Sequence, residues 1–141
     1  MPQKASSLNL EVLTKELFTQ LRDSLIWKWD ERFSMVQTEF SVDSMQSVFT
    51  TLKPHLKEVW DADSINLAPE HIQSYCNQFG RFHSDQIFSS TDSNCDELIY
   101  CAIWPWSDGE MISIRLAPYS KMMSDDEKDD LLLQFRHWFG L

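Results

Sequence analysis

Two short acidic segments carry the residue types that bind calcium. Residues 92–96 read Asp-Ser-Asn-Cys-Asp, which begins like an EF-hand loop, and a second acidic segment starts at Asp61. An EF-hand loop needs glycine at its sixth position for a sharp turn and a bidentate glutamate at its twelfth. The first segment has Glu97 and Ile103 there, and the second segment also fails at both positions. Both segments are therefore predicted to be ordinary polar loops without a metal ion.

The cysteines and histidines also lack the spacing of a metal site. Three cysteines and four histidines are scattered, with no pair at the short intervals of a zinc finger or a zincin helix. Cys76 falls on the apolar face of a predicted helix and Cys101 within a hydrophobic strand, so both are predicted to be small core residues. Cys95 lies beside Asp96 and Glu97, whose negative charges raise a thiol pKa and work against nucleophilic reactivity.

Motifs of the common enzyme classes are missing from the sequence. Three glycines in the whole chain exclude the glycine-rich loops that hold nucleotide phosphates, and no G-x-S-x-G nucleophile motif is present. We therefore predict no catalytic residue, no cofactor and no enzymatic activity. The alternative is a small-molecule-binding domain or a minor enzyme with an aromatic-lined pocket. The tryptophan pairs at residues 27 and 29 and at residues 104 and 106 would line this pocket, with His83 and Asp85 as the close polar pair.

The most unusual feature is a pair of tryptophans around a proline. Trp104 and Trp106 flank Pro105 on one face of a predicted strand, and Asp108 and Glu110 follow just beyond. Because proline cannot donate to a strand ladder, this strand end is predicted to be an edge or the terminus of the ladder. The pair either fills the core between sheet and helices, or forms an aromatic anchor with an acidic rim for a basic partner.

A second acidic cluster opens the last predicted helix. Its members are Asp125, Asp126, Glu127, Asp129 and Asp130. The first three suit the positive end of the helix dipole, and Ser124 with Glu127 forms a capping-box pattern. Asp129 and Asp130 have no such local role. The cluster is therefore either a solvated helix face or a docking patch for a basic protein.

The overall charge narrows the classes of partner. Lys and Arg number 12 against 22 Asp and Glu, which gives a formal net charge of -10. Such a field repels phosphate backbones and anionic lipid, so we expect neither nucleic acid nor a membrane as partner. An odd number of cysteines and no signal-type apolar segment near Met1 favour a reducing compartment, and we predict the cytoplasm.

Hydrophobic periodicity in the first third of the chain predicts a helix and then strand structure. Residues 8–25 repeat leucine every three or four positions, which is the helical period. Large apolar residues then alternate with polar ones, at Trp27, Trp29, Phe33 and Met35. This alternation predicts one bent strand or a hairpin turning near residues 30–31, with a continuing helix as the alternative.

Two more helices are predicted in the middle of the chain. The second begins at Asp43, where Gln46 completes a capping-box pattern, and its apolar face runs on to Trp60. Pro54 is expected to kink or divide this helix. The third is predicted over residues 69–80, between a proline and a glycine.

The second half of the chain is predicted to contain β-strands and a final helix. Strands are predicted over residues 82–88, 98–106 and 111–116. The Asp-Gly dipeptide ending at Gly109 predicts a tight hairpin between the last two. The final helix is predicted over residues 124–140.

Together these patterns predict one α+β domain over residues 1–141, in which a small antiparallel sheet of three to five strands is covered on one face by four helices. We predict a non-enzymatic, acidic protein-binding module, such as an inhibitor, an immunity protein or a secretion-type chaperone that masks a basic or partly unfolded protein. The predicted partner-binding residues are Trp104, Trp106, Asp108, Glu110, Asp125, Asp126, Asp129 and Asp130. A homodimer paired through an exposed strand is a further alternative.

Overall fold

The described residues form four α-helices and six β-strands. The computed structural model describes residues 6–21, 25–32, 34–56, 58–77, 86–91, 97–106, 108–120 and 124–141. Its α-helices are α1 (Ser6–Leu21), α2 (Met45–Leu52), α3 (Glu70–Cys76) and α4 (Asp125–Trp138). Its strands are β1 (Lys28–Asp30), β2 (Met35–Ser41), β3 (Glu58–Trp60), β4 (Ile87–Ser90), β5 (Glu97–Pro105) and β6 (Met111–Ser120).

The strands form one antiparallel sheet, and the protein is α+β overall. The strand order is β1-β2-β6-β5-β4-β3. The predicted three to five strands are therefore wrong, because six strands pair within the described residues. β5 and β6 form the central pair, from Glu97 opposite Ser120 to Pro105 opposite Ile112. This pair carries side chains of both candidate sites described below.

The hairpin between β5 and β6 is made by local chemistry, as the sequence predicts. Gly109 has a φ of 73°, a left-handed conformation that glycine adopts without a steric penalty. The Asp108 carboxylate accepts the N–H of Glu110 at 2.8 Å and that of Met111 at 3.4 Å. The Trp106 N–H donates to the Met111 carbonyl at 2.8 Å, which closes the turn.

The alternating segment near residue 30 forms a hairpin, and the alternative of a continuing helix is wrong. β1 pairs with β2, with Trp29 opposite Val36. In the turn, Asp30 Oδ1 accepts the N–H of Arg32 at 2.9 Å, and Ser34 adopts a positive φ of 54°. The turn lies where the alternation predicts it.

Strand β3 is not among the predicted strands, because the sequence predicts a continuing helix over its residues. α2 ends before Pro54, as predicted, because proline lacks the N–H that the helix ladder needs. Val59 and Trp60 then pair with Ser89 and Phe88 of β4. Valine and tryptophan favour a pleated, half-buried surface, and their partner strand lies far along the chain. Helical periodicity alone did not reveal that pairing.

Two helix boundaries also differ from the prediction. Helix α1 ends before Leu25, which lies outside it. The capping box predicted for Asp43 and Gln46 is wrong, because Val42–Ser44 forms a 3-10 turn ahead of α2. There the hydroxyl of Ser41 accepts the Asp43 N–H at 3.2 Å, so the cap lies two residues earlier than predicted.

Some predictions fall outside the described residues. The predicted helix end at Gly80 lies there, as does most of the strand predicted over residues 82–88. The polar pair His83 and Asp85 lies there as well. The described strand in this region is β4, which ends at Ser90.

The predicted cap of the last helix is confirmed. Ser124 Oγ accepts the N–H of Glu127 at 3.3 Å, and Glu127 Oε1 accepts the N–H of Ser124 at 3.0 Å. The hydrogen bond from the Ser124 N–H, together with one from the Ser124 side chain, holds the pKa of the Glu127 carboxyl below its usual value. The start of α4, and with it the acidic cluster, is therefore set by a local device that the sequence displays.

Helices lie on both faces of the sheet, so the prediction that one face carries them all is wrong. The larger core joins α1, α2 and α4 to the sheet through Leu10, Val48, Leu52, Leu131 and Phe135. α3 packs on the opposite face, where Ile72 and Cys76 meet Phe88, Tyr100 and Ala102. Because neighbouring residues along a strand point to opposite faces, the two cores use alternate residues of β5.

Candidate functional site

Trp106 presents an aromatic ring at the end of β5. Its side chain is 40% exposed, and its indole Nε1–H donates to Ser113 Oγ of β6 at 2.8 Å. Because that hydrogen bond already restrains the ring, little further side-chain entropy is lost when a partner covers it. β5 ends at Pro105, which confirms the prediction that the proline marks the terminus of the ladder.

Trp104 supports this end of the sheet from within. It is half-buried, and the Arg115 guanidinium carbon lies 4.9 Å from the centroid of its ring. Arg115 Nε donates to Asp30 Oδ2 at 2.7 Å, and the two charged side chains are only 19% and 10% exposed. One face of Trp104 is thus occupied by a cation of the chain itself.

The two tryptophans lie on one face of the sheet, as predicted. Trp104 contacts Arg115 and Trp106 contacts Ser113, and residues two apart on β6 point to the same side. The core and surface interpretations therefore each apply to one member of the pair. Trp104 is half-buried at the margin of the core, and Trp106 lies at the surface.

The carboxylates at the hairpin tip supply a local negative charge. Asp108 and Glu110 are both exposed. Nearby on the sheet, Glu39 lies opposite Ser113, but its charge is offset by Lys28 at 3.5 Å. We call the group of Trp104, Trp106, Asp108 and Glu110 the hairpin surface, since the structure brings these four predicted residues together.

The other tryptophan pair serves the core. Trp27 is buried and meets Phe139 edge-to-face, with ring centroids 5.2 Å apart. Trp29 is half-buried, and the Arg136 guanidinium lies 5.3 Å from its ring centroid. The Trp29 contact joins β1 to α4, and Trp27 packs on the residue that follows this helix.

A cleft of about 540 Å³ opens at the opposite end of β6 from the hairpin. Tyr75 and Tyr119 supply aromatic walls, and Leu131 and Leu132 of α4 supply aliphatic ones. Arg32 and Lys128 are the charged side chains among the described residues that line it. Its volume lies within the roughly 300–1,000 Å³ typical of small-molecule sites. We call it the tyrosine cleft.

The aromatic walls of the tyrosine cleft belong to a packed cluster. Tyr75 meets Tyr100 edge-to-face with centroids 4.2 Å apart. Tyr119 stacks on Tyr100 at 5.1 Å and on His71 at 5.7 Å. The cluster gathers all three tyrosines of the chain, and its ring contacts pack the aromatic walls of the cleft against the core.

The acidic cluster of α4 lies far from the hairpin surface. Asp125, Asp126, Asp129 and Asp130 are all exposed. The first turns of α4 lie at the Ser120 end of β6, because Lys128 and Leu131 share the tyrosine cleft with Pro118 and Ser120. The ten residues of β6 span roughly 30 Å. The eight predicted binding residues therefore form two separate groups.

The sequence gives no direct signal for the tyrosine cleft. Its lining comes from the β1–β2 turn, from α3, from the end of β6 and from α4, which only the tertiary fold brings together. The aromatic-lined pocket considered as an alternative was expected at the tryptophan pairs. In the described part of the chain, the aromatic lining of this cleft is tyrosine instead.

A smaller apolar groove of about 200 Å³ lies between α2 and the sheet. Phe49, Leu52, Val59 and Ile87 line it, with Lys53 at its rim. Its volume is below the usual range of small-molecule sites. Nothing in the structure shows what covers this groove.

The acidic segment at Asp61 forms an ordinary turn, as predicted. Asp61 Oδ1 accepts the N–H groups of Asp63 and Ser64, each at 3.0 Å, together with the Ser64 hydroxyl. Among the described residues no group of three or more His, Cys, Asp or Glu side chains is placed to hold a metal ion. Residues 92–96, the other acidic loop, lie outside the described residues.

Two cysteines are buried, as the sequence predicts. Burial raises the pKa of the Cys76 thiol from 9.0 to about 11. Burial also raises that of Cys101 to about 12, although a hydrogen bond with Ser89 acts in the opposite direction. Cys95 lies outside the described residues. Burial of Cys76 and Cys101 in this way makes them poor nucleophiles.

We expect the stability of the protein to fall as the pH rises above about 9. The folded state favours the protonated thiols, so their contribution is fully present below the unfolded pKa of 9.0 and is lost as the pH approaches about 11 for Cys76. Urea unfolding at neutral pH and at roughly pH 10 measures this loss. In a Cys95→Ser variant, Ellman's reagent should label neither buried thiol at neutral pH until denaturant is added. Rapid labelling of the native variant would contradict the prediction.

Comparison with protein-family models, with curated proteins and with solved structures gives no match to this chain. The fold and the surfaces described above characterise an acidic α+β protein with an exposed Trp106 side chain at one end of β6 and a cleft at the other. None of the helices in the described segments is long and apolar enough to cross a bilayer.

Proposed function

We propose that this chain is a non-enzymatic protein-binding module of the cytoplasm, whose hairpin surface docks a basic protein. It would act as an inhibitor, an immunity protein or a secretion-type chaperone that masks a basic or partly unfolded partner. The observation that carries the proposal is the Trp106 ring, 40% exposed and held by Ser113, beside two exposed carboxylates.

An exposed, oriented tryptophan is the side chain best suited to anchor an interface. Tryptophan is enriched among the few residues that carry most binding energy. The ring of Trp106 is already held by its 2.8 Å hydrogen bond. Two residues earlier, Trp104 packs against Arg115. The end of the strand that carries the anchor is therefore itself stabilised by packing.

The charge around the anchor favours a basic partner. Asp108 and Glu110 are exposed at the rim, where charges mainly raise the association rate and select against acidic partners. An arginine of the partner placed over the Trp106 ring would add a cation–π contact. Trp104 already makes such a contact with Arg115 at 4.9 Å.

The acids of α4 have a secondary part in this proposal. They lie at the other end of β6 from the hairpin and add to the negative field that attracts a basic protein from a distance. Binding would then proceed by attraction, followed by burial of Trp106. The partner's own active or aggregation-prone surface would be blocked by occlusion.

We expect Trp106→Ala to weaken partner binding by about 2 kcal/mol, or roughly 30-fold in Kd. The side chain is partly exposed, so the variant should fold normally. Immobilised wild-type and variant proteins are used to capture partners from the native host lysate at low and at high salt. Captured proteins are identified by mass spectrometry, and the Kd is then measured with the purified partner at two salt concentrations.

Matched variants separate the hairpin surface from the rest of the molecule. Leu133→Ala removes another exposed apolar side chain, on α4, and should leave capture unchanged. Glu110→Lys should reduce capture far more than Asp129→Lys. A partner retained equally by wild-type protein, Trp106→Ala and Glu110→Lys would refute the proposal. Recovery of only this chain at both salt concentrations would refute it too.

A further inference from the structure

We propose that the tyrosine cleft binds a small organic anion with a flat aromatic body. This site is separate from the hairpin surface, at the other end of β6. The proposal rests on the lining of the cleft, on its charge and on its rigidity, and it does not depend on the protein-binding function proposed above.

The walls of the cleft suit a flat apolar body. Tyr75 and Tyr119 contribute aromatic side chains to the lining, and Leu131 and Leu132 contribute aliphatic ones. Aromatic rings favour offset or edge contacts with a second ring. The volume of about 540 Å³ accommodates a ligand of two or three rings, since sites of this size hold drug-sized molecules.

The charged side chains that line the described part of the cleft are basic, although the protein as a whole is acidic. The chain carries 22 acidic and 12 basic side chains, yet the charged lining residues in the described part are Arg32 and Lys128. Lys128 makes no ion pair with a described residue. The hydroxyl groups of Ser34 and Ser120 also line the cleft. Cations and hydroxyl donors beside an apolar wall are the groups that orient a carboxylate, sulfonate or phosphate.

Residues that line the cleft are held in place by contacts with the surrounding structure. Asp30 Oδ1 accepts the Arg32 N–H at 2.9 Å and fixes the turn that carries it. The Lys128 N–H donates to the Ser124 carbonyl at 3.0 Å in the capped start of α4. Tyr119 makes stacking contacts with His71 and with Tyr100. A site whose walls are already ordered loses less entropy when a ligand binds.

The experiment uses anilinonaphthalene sulfonate as the anionic probe and its uncharged parent, phenylnaphthylamine, as the neutral one. Both increase in fluorescence when they enter an apolar site. We expect the anion to bind the full-length protein with the lower Kd. Lys128→Gln should raise that Kd about tenfold, as expected for loss of one charged contact, and should leave phenylnaphthylamine binding unchanged. Leu132→Trp, which fills the cleft, should abolish binding of both probes.

Matched controls locate the probe. Lys53→Gln removes the lysine at the rim of the apolar groove, and Trp106→Ala removes the anchor of the hairpin surface; neither should change the Kd. Nuclear Overhauser contacts should join the naphthalene protons to the Tyr119 ring. Each of three results would overturn the proposal: equal affinity for both probes, weaker binding in Lys53→Gln or Trp106→Ala, or no effect of Lys128→Gln. The capture experiment with Trp106→Ala is independent of all of them.

Discussion

Phe135→Ala is expected to lower the free energy of unfolding by about 3–5 kcal/mol, the largest effect of any change considered for this protein. Phe135 is fully buried, and its ring packs against Trp138 and Phe139 with centroids 6.4 and 5.2 Å away. Alanine removes most of the buried apolar surface and leaves a cavity between α4 and the sheet. Urea denaturation followed by circular dichroism measures the change.

The matched control for this substitution lies two residues earlier on the same helix. Leu133 is 63% exposed, so Leu133→Ala should change stability by less than about 0.5 kcal/mol. A loss of similar size in both variants would contradict the prediction, because burial of one face of α4 would then not determine the cost of the substitution. The contrast therefore tests the packing of the helix that carries Lys128 and Leu132 to the tyrosine cleft.

Asp30→Ala is expected to destabilise the protein by about 3 kcal/mol, at the lower end of the range for breaking a buried ion pair. The carboxylate accepts a 2.7 Å hydrogen bond from Arg115, and both side chains are largely shielded from water. Removal of Asp30 leaves the guanidinium mostly buried against Trp104 without its counter-charge. Chemical denaturation at neutral pH measures the loss.

A double-mutant cycle isolates the cause of that loss. In Asp30→Ala with Arg115→Met the uncompensated charge is gone, so the double variant should be more stable than Asp30→Ala alone. Glu39→Ala is the control, because its pair with Lys28 is more exposed and longer, at 3.5 Å, and is worth at most about 1 kcal/mol. Equal losses in Asp30→Ala and Glu39→Ala would contradict the prediction.

The features that the sequence predicts well are those made by neighbouring residues. The turn at Asp108 and Gly109 and the cap at Ser124 and Glu127 each depend on hydrogen bonds within three residues, so the local pattern is sufficient. The end of α2 before Pro54 is predictable for the same reason. Of these features, the turn at Asp108 and Gly109 is the one that positions the hairpin surface, so a local pattern is enough to place its four residues near one another.

The features that the sequence hides depend on partners far along the chain. Val59 and Trp60 continue a helical spacing, and only their pairing with β4 makes them a strand. The tyrosine cleft is lined by Arg32, Tyr119 and Lys128. These residues are far apart in sequence and come together only when the sheet and α4 have packed. Likewise, the sequence analysis groups the acids of the hairpin with those of α4 as partner-binding residues, but the length of β6 separates them.

The two edges of the sheet bear on how the protein behaves when it is concentrated. The outermost strands, β1 and β3, are each three residues long, so each offers only a few unpaired backbone groups as a template. Another β-strand that added to either edge would gain few backbone hydrogen bonds in return for the conformational entropy that it loses. Growth of this sheet into fibrils is thereby discouraged, although its central strands are rich in residues that favour such assemblies.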